Sequence, residues 1–413
     1  MTDLSGSSPL HRRTRPHGGA WVWTRGGMLL FGFTAFLLAP KIDVISVLRI
    51  EDLVFLLVLP VLIWRYTPDR TPFPGYLKWY FAYLGLATLS AIANYSSLGL
   101  FGIINVVRQV QYLIWFAVGA QMAASISTER FHRAITIVGI IFILWWLGEM
   151  AGIIPKIGKF TGAQGRVTLN TSGPYEISVV VVFVMLFVKN RAVLLGLIGI
   201  LIATQSRITL AAALVVYLIK NPRNALIVSV PVALLVVTFL LLDPSALAES
   251  RFAEIMSPLE MWQAWRAQLL DAPVIVDLPE YRYYAYDSLW EQVDGNIDVS
   301  FEIRLIRWAL IVKSLTSDWM HLSIGWGPGA WGAAVDSHLI RFLGEVGVLG
   351  TAIFTAFVAV SVFHPGYPAP YRTAMMILVI CSLFIDVMTS SKIMSFLWGF
   401  AGYTTARMSR VSA

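Results

Sequence analysis

Long apolar runs recur from Met28 to Tyr403 with only short polar breaks, and this pattern limits the chain to very few folds. A helix needs about 20 largely apolar residues to cross the hydrocarbon core of a bilayer. Inside that core each backbone N–H and C=O must find its partner within the protein, and helices do this residue by residue. The sequence therefore predicts an all-α polytopic membrane protein. Only 13% of its 413 residues are charged, about half the share found in soluble domains.

The runs fit about twelve spans, near 27–47, 50–65, 76–93, 105–124, 133–152, 173–189, 191–205, 207–220, 224–242, 337–362, 372–389 and 391–406. With the tail 1–26 in the cytoplasm, the basic residues Arg65, Arg70, Lys78, Arg130, Arg133, Lys189, Arg191, Lys220, Arg223, Arg372, Arg407 and Arg410 all fall on the inner side. The loops at Asn94–Ser97 and Ser390 carry little positive charge, as outer loops should. The net charge of +7 follows this loop pattern and does not mark a nucleic-acid surface. His11-Arg12-Arg13 followed by the run from Met28 to Leu38 resembles a signal peptide. No small-residue cleavage site follows and many spans do, so the run is read as the first span. A lone cysteine, Cys381 in an apolar segment, permits no disulfide framework.

This topology divides the chain into transmembrane helices over 27–242, an extracytoplasmic loop over 243–336, further transmembrane helices over 337–406 and a cytoplasmic tail over 407–413. A loop of that length is more than a connector. Its first part carries Trp262, Trp265, Tyr281, Tyr283, Tyr284, Tyr286 and Trp290 among many carboxylates. Such rings suit sugar faces, and equally an interfacial belt anchoring the loop to lipid. The segment 302–320 has helical periodicity, with Arg304 and Arg307 beside an apolar face of Leu305, Trp308, Ala309 and Val312. Its charge predicts a helix on the outer membrane surface.

Three predicted helices begin at that surface with polar residues. In one, Asp336 or Ser337 can cap a helix on which His338, Arg341 and Glu345 share a stripe within about 60°. Another starts at Arg207, and a third follows Arg166, with Gly173 as cap, Pro174 in the first turn and Glu176 completing the cap. Helix N-termini with guanidinium forks make an anion site, best suited to a phosphate or diphosphate, if they converge. Plainer roles exist for each residue: snorkelling for Arg207, solvation of a surface helix for Arg304 and Arg307, a structural histidine at His338, and an ion-pair partner of Arg341 at Glu345. Gly325-Trp-Gly-Pro-Gly-Ala-Trp-Gly332 is either a turn or a backbone cradle offering Trp326 and Trp331 for stacking. It lacks the Lys-Ser/Thr of a phosphate-binding Walker loop. Arg108, within a span, needs a partner that the sequence does not name. No acidic set has metal-site spacing, so the expectation is no metal and no cofactor.

Gln205-Ser-Arg207 opening an apolar helix, Arg304-x-x-x-Trp308, Gly325-Trp-Gly-Pro-Gly329, His338-Leu and Glu345-Val-Gly-Val-Leu-Gly350 occur in this order. The set resembles the O-antigen ligase and polymerase superfamily of bacterial membrane glycosyltransferases over about residues 160–360. Leu339 stands where that family often has Asn, and its paired Arg-loop motifs do not align cleanly. The resemblance implies a GT-C-like fold in the bacterial inner membrane with its site facing the periplasm or cell exterior. It implies transfer of a glycan from undecaprenyl diphosphate, with Arg207 and Arg304 holding the diphosphate and His338 assisting the acceptor. Arg166, Arg307, Arg341, Trp308, Trp326, Trp331 and Glu345 are the candidate substrate-binding residues around them. The expected partners are an undecaprenyl-diphosphate-linked oligosaccharide, a glycan or lipid-linked acceptor, membrane lipid and, as a candidate, a chain-length regulator. A polymerase of O-antigen or exopolysaccharide repeats is the leading expectation. A ligase delivering the glycan to lipid A core is the alternative, and a transporter of lipid-linked sugars is a third.

Overall fold

The computed structural model describes residues 24–45, 48–63, 74–157, 166–220, 258–271, 299–332 and 335–411. These residues form helices α1 (Arg25–Leu38), α2 (Ile50–Ile63), α3 (Gly75–Ala93), α4 (Tyr95–Leu98), α5 (Leu100–Ser125), α6 (Thr128–Met150), α7 (Pro174–Met185) and α8 (Arg191–Ala203). They continue with α9 (Arg207–Lys220), α10 (Pro258–Asp271), α11 (Val299–Thr316), α12 (Trp319–Ile324), α13 (His338–Phe363), α14 (Ala369–Ser382) and α15 (Ser391–Val411). A short antiparallel hairpin, β1 (Asp43–Ile45) with β2 (Leu48–Arg49), joins α1 to α2.

The molecule is an α-helical membrane protein. Helices α5, α6 and α13 are long and apolar enough to cross a membrane, and α1, α7, α8 and α14 are shorter apolar helices. Eleven helices coincide with predicted spans; the predicted span 224–242 lies outside the described residues. The core joins aromatic side chains from α1, α3, α5, α13 and α15, with Phe36 against Trp115 at 4.7 Å and Tyr80 against Trp398 at 4.5 Å. Helices α5 and α15 pack almost backbone to backbone. A Cβ on Gly119 would lie 1.9 Å from the Gly399 carbonyl oxygen, and one on Gly402 1.9 Å from that of Phe116. With lipid as apolar as leucine, such close packing is a main force between membrane helices.

Two ends of the bundle are defined by what meets there. At one end the start of α15 joins the exit of α1, where Lys392 donates to the Asn170 carbonyl at 2.7 Å and Asn170 donates to that of Leu37 at 2.7 Å. The end of α3 joins the 325–332 loop there, Asn94 donating to the Gly325 carbonyl at 3.1 Å. At the other end Arg25 donates to the Leu62 carbonyl at 2.9 Å, Arg407 to that of Ile126 at 2.6 Å and Lys220 to that of Ala369 at 3.2 Å. The second end therefore collects basic residues that the loop pattern places on one side of the membrane.

The region before α13 differs from the expected surface helix over 302–320. It is two helices, α11 and the short α12, the second capped by Asp318. Ile303, Leu305, Ile306, Ala309, Leu310, Ile311 and Leu315 of α11 are buried, and most pack with Trp326, Ala330, Trp331 and Val335 in a second, smaller core. Of the predicted apolar face, Trp308 and Val312 are only partly buried. The acidic, aromatic loop over 243–301 lies outside the described residues except for α10 and the start of α11; in α10 the Trp262 and Trp265 rings stand 5.3 Å apart.

Candidate functional site

Helix α13 holds the polar stripe, and a break in that helix sets its position. Gly347 has φ 65° and ψ −170°, which divides α13 into a short arm and a longer rod. The break releases the carbonyls of Gly344 and Glu345 from helical bonding, and unbonded carbonyls in this setting are costly. The amides of Trp326 and Gly327 donate to them, each at 2.9 Å, and the Ser90 hydroxyl donates to Glu345 O at 3.1 Å. Glycine is required where these chains cross: a Cβ on Gly325 would lie 2.3 Å from the Glu345 carbonyl carbon, and one on Gly347 2.4 Å from that of Ser323. The 325–332 loop is thus the backbone support of the α13 arm. Trp326 and Trp331 are buried, and His321 stacks on the Trp326 ring at 3.6 Å. This corrects the expectation that they offer faces to a ligand. The Trp308 indole donates to the Val335 carbonyl at 2.9 Å and so also has a structural partner.

Ser337 caps the arm, its side chain accepting from the Ile340 amide at 3.4 Å; Asp336, the other predicted cap, sits at φ 57°. Arg341 donates to Glu345 at 3.2 Å, to Asp386 at 3.0 Å and to the Gly332 carbonyl at 2.8 Å. Asp386 also accepts from the Asp336 amide at 3.0 Å, and Asp336 accepts from Arg304 Nε at 3.2 Å. His338 is 3% exposed and its Nδ1 lies 4.0 Å from Asp386 Oδ1. Neither imidazole nitrogen has a hydrogen-bond partner among the described residues. A buried imidazole left open in this way is available to a proton of something not in the chain.

The two aspartates differ electrostatically. Burial raises the Asp336 carboxyl pKa above its ordinary value, and Arg304 only partly opposes that effect. Burial acts on Asp386 too, but the Arg341 guanidinium outweighs it and holds the carboxyl below its ordinary value. Asp386 is therefore a firm counter-charge for Arg341, and Asp336 is a weak one for Arg304.

His338, Arg341 and Glu345 line a cavity of about 530 Å³ together with Lys41, Arg49, Tyr80, Tyr83, Asn105, Arg108, Gln109, Tyr112, Ser172 and Thr389, and with Phe101, Gly329, Gly332, Phe342, Phe354, Met388 and Met394. Arg166, Arg207, Arg304 and Arg307 are not among its lining residues. Arg304 is instead engaged by Asp336 beside the cavity, and Arg307 is buried near the same carboxylate. Arg166 donates to the Thr204 carbonyl at 3.0 Å and lies 4.9 Å over the Tyr175 ring, whose hydroxyl also meets Arg304. Arg207 is half-buried at the start of α9, three residues beyond Thr204. The structure thus connects Arg166 and Arg304 through Tyr175, and Arg304 to the α13 arm through Asp336 and Asp386. The three helix starts do not share one pocket: the cavity includes the α13 arm, and only Ser172 ahead of α7.

Glu176 does not complete a cap through its carboxylate at Gly173. It accepts from the Ser172 amide at 3.2 Å and binds Lys41 at 3.0 Å, with Ser390 also donating to it. Glu51 is fully buried, takes a bond from Ser391 and lies 3.6 Å from Arg49. Sequence reasoning missed Asp386, Lys41, Arg49 and Lys392. Asp386 and Lys392 were each a single charge at an apolar run, and that rarity was the available signal.

Comparison of the sequence with protein-family models and with curated proteins finds no match.

Proposed function

We propose that the chain is a membrane glycosyltransferase that moves a glycan from undecaprenyl diphosphate to an acceptor hydroxyl. The observation that carries this reading is the buried, unpartnered imidazole of His338 on the wall of a cavity that also presents Lys41, Arg49, Arg108 and Arg341. A diphosphate leaves readily once its charge is stabilised, and fixed cations in a water-poor site supply that stabilisation. In this reading the acceptor oxygen attacks the anomeric carbon, and its proton passes to the free imidazole nitrogen of His338. The bond from that carbon to the diphosphate oxygen breaks, the lipid diphosphate departs with the electron pair, and the anomeric centre inverts. The Asp386 carboxylate, 4.0 Å from Nδ1, stabilises the charged form of the imidazole through its charge.

The reading brings with it about twelve transmembrane helices in a GT-C-like arrangement. The end of the bundle that holds the cavity faces the periplasm or cell exterior, and the protein resides in the bacterial inner membrane. Arg304 then stands beside the cavity, held by Asp336. Polymerisation of lipid-linked repeats is the leading activity; ligation to lipid A core or another acceptor uses the same site with a different acceptor. The break in α13 favours a second reading, because discontinuous helices also mark transporters.

Purified protein in proteoliposomes, given a lipid-linked repeat as sole substrate, tests these readings together. A ladder of longer lipid-linked products supports the polymerase. Product only after a second acceptor is added supports the ligase. Movement of the lipid-linked sugar without a new glycosidic bond supports transport. For the enzyme, His338→Ala should lower product formation at least a hundredfold, the low end of a general base's contribution of about 10²–10⁴; undiminished product in His338→Ala rejects the proposed chemistry.

A further inference from the structure

We infer that Arg108 on α5, rather than an arginine of the Arg166–Arg207–Arg304 set, is the seat of the lipid-borne diphosphate. This rests on the glycosyltransferase reading for its substrate and on the cavity for its geometry. Of the four cations on the cavity wall, three are matched by carboxylates. Lys41 lies 3.0 Å from Glu176, Arg49 lies 3.6 Å from Glu51, and Arg341 is held by Glu345 at 3.2 Å and Asp386 at 3.0 Å. Arg108 has neither a hydrogen bond nor an ion pair among the described residues; its electrostatic neighbour is the Tyr112 hydroxyl one turn on. An uncompensated charge on a membrane helix is costly. A diphosphate entering the cavity would remove that cost, and this makes Arg108 the group with most to gain from an anion.

The surroundings of Arg108 fit a diphosphate that carries an apolar tail. Phe101, Asn105, Arg108, Gln109 and Tyr112 form one stripe of α5 on the cavity wall, and the two amide side chains flank the guanidinium with further hydrogen-bonding groups. Beside this stripe, Ile104 and Val107 are exposed, with Val107 at 61%. A polyprenyl chain can lie along that flank in lipid while its diphosphate turns inward to Arg108. His338 and Arg341 face the same cavity, so a sugar on the diphosphate would project toward the imidazole.

The test is calorimetric binding of farnesyl diphosphate and, in a separate arm, inorganic pyrophosphate to the purified protein in nanodiscs. Wild type should bind both, the farnesyl compound more tightly. Arg108→Ala should weaken both at least tenfold, Arg108→Lys should recover part of the loss, and Ile104→Glu should weaken the farnesyl compound alone. Arg304→Ala should bind nearly as wild type does. Elution of each variant as a single folded species separates loss of binding from loss of fold. Arg108→Ala binding like wild type overturns the assignment, as does a loss confined to Arg304→Ala, or no binding by wild type. If binding depends on Arg108 but no glycosidic bond forms in the product assay, the seat stands and the glycosyltransferase reading fails. If His338-dependent transfer proceeds and Arg108→Ala binds normally, the seat alone fails.

Discussion

At the scale of single residues, the site is organised by Asp386, an acid the sequence concealed within an apolar run. Its carboxylate joins Arg341, the Asp336 amide and His338, three groups that sequence position alone could only place near one membrane face. The stripe of His338, Arg341 and Glu345 was legible because helical periodicity fixes which neighbours share a face. The partner from a distant connector was not, because periodicity says nothing about contacts between elements. The two aspartates give opposite pH signatures. Asp386 is held below its ordinary value, so its contribution to stability is present above the unfolded value of about 3.9 and is lost as pH falls through the folded one. Asp336 is raised by burial, so the folded state favours its protonated form and loses stability as pH rises from about 3.9 through the folded value. In thermal melts Asp386→Asn should therefore be destabilised at neutral pH, by about 3–5 kcal/mol if Arg341 is left undercompensated, and approach wild type in strong acid. Asp336→Asn should gain on wild type as pH rises through the mildly acidic range and then run parallel to it. Slopes of the same sign for both variants would contradict this account.

At the scale of elements, the break at Gly347 converts a continuous apolar helix into an arm that can present chemistry. The run 337–362 was predictable as one span, and its bounds agree closely with α13. Its division was hidden, because a glycine in an apolar helix has the same appearance whether it kinks or packs. The partner loop was visible as a glycine-rich stretch. Its role became clear only where Trp326 and Gly327 donate to the carbonyls that the break frees. Gly347→Ala adds a Cβ 2.4 Å from the Ser323 carbonyl carbon at a φ that L-residues disfavour. Strain of about 1–3 kcal/mol in this glycine-only backbone region and overpacking of about 1–3 kcal/mol add in the same direction. The variant should show a clearly lowered melting temperature in detergent, whereas Gly85→Ala, where a Cβ meets nothing within 4 Å, should melt as wild type does. Equal melting of the two variants would show that the loop does not clasp the arm.

At the scale of the whole molecule, the account depends on a bundle whose two ends differ in chemistry. The alternation of basic loops in the sequence matches the end where Arg25, Lys220 and Arg407 cap backbone carbonyls, while the cavity lies toward the opposite end. Helix positions were legible because they follow from composition along the chain. The convergence of Arg166, Arg207 and Arg304 on one pocket was not, since helix packing decides which of several surface cations reach a cavity. Cys381 is buried, so a Cys381→Ala background suits single-cysteine labelling. Ser96→Cys and Ser317→Cys, at the cavity end, should react with an impermeant maleimide from one side of the membrane. Pro365→Cys, exposed at the other end, should react only from the opposite side. Labelling of all three from one side would remove the proposed topology. The central claim is that the cavity between α5 and the α13 arm receives a lipid-linked diphosphate. An electron cryomicroscopy map of the protein in nanodiscs with a non-hydrolysable polyprenyl diphosphate sugar analogue tests it most directly. The account predicts diphosphate density within hydrogen-bonding reach of Arg108, with the sugar toward His338; clear density for the analogue elsewhere, with this cavity empty, would contradict it.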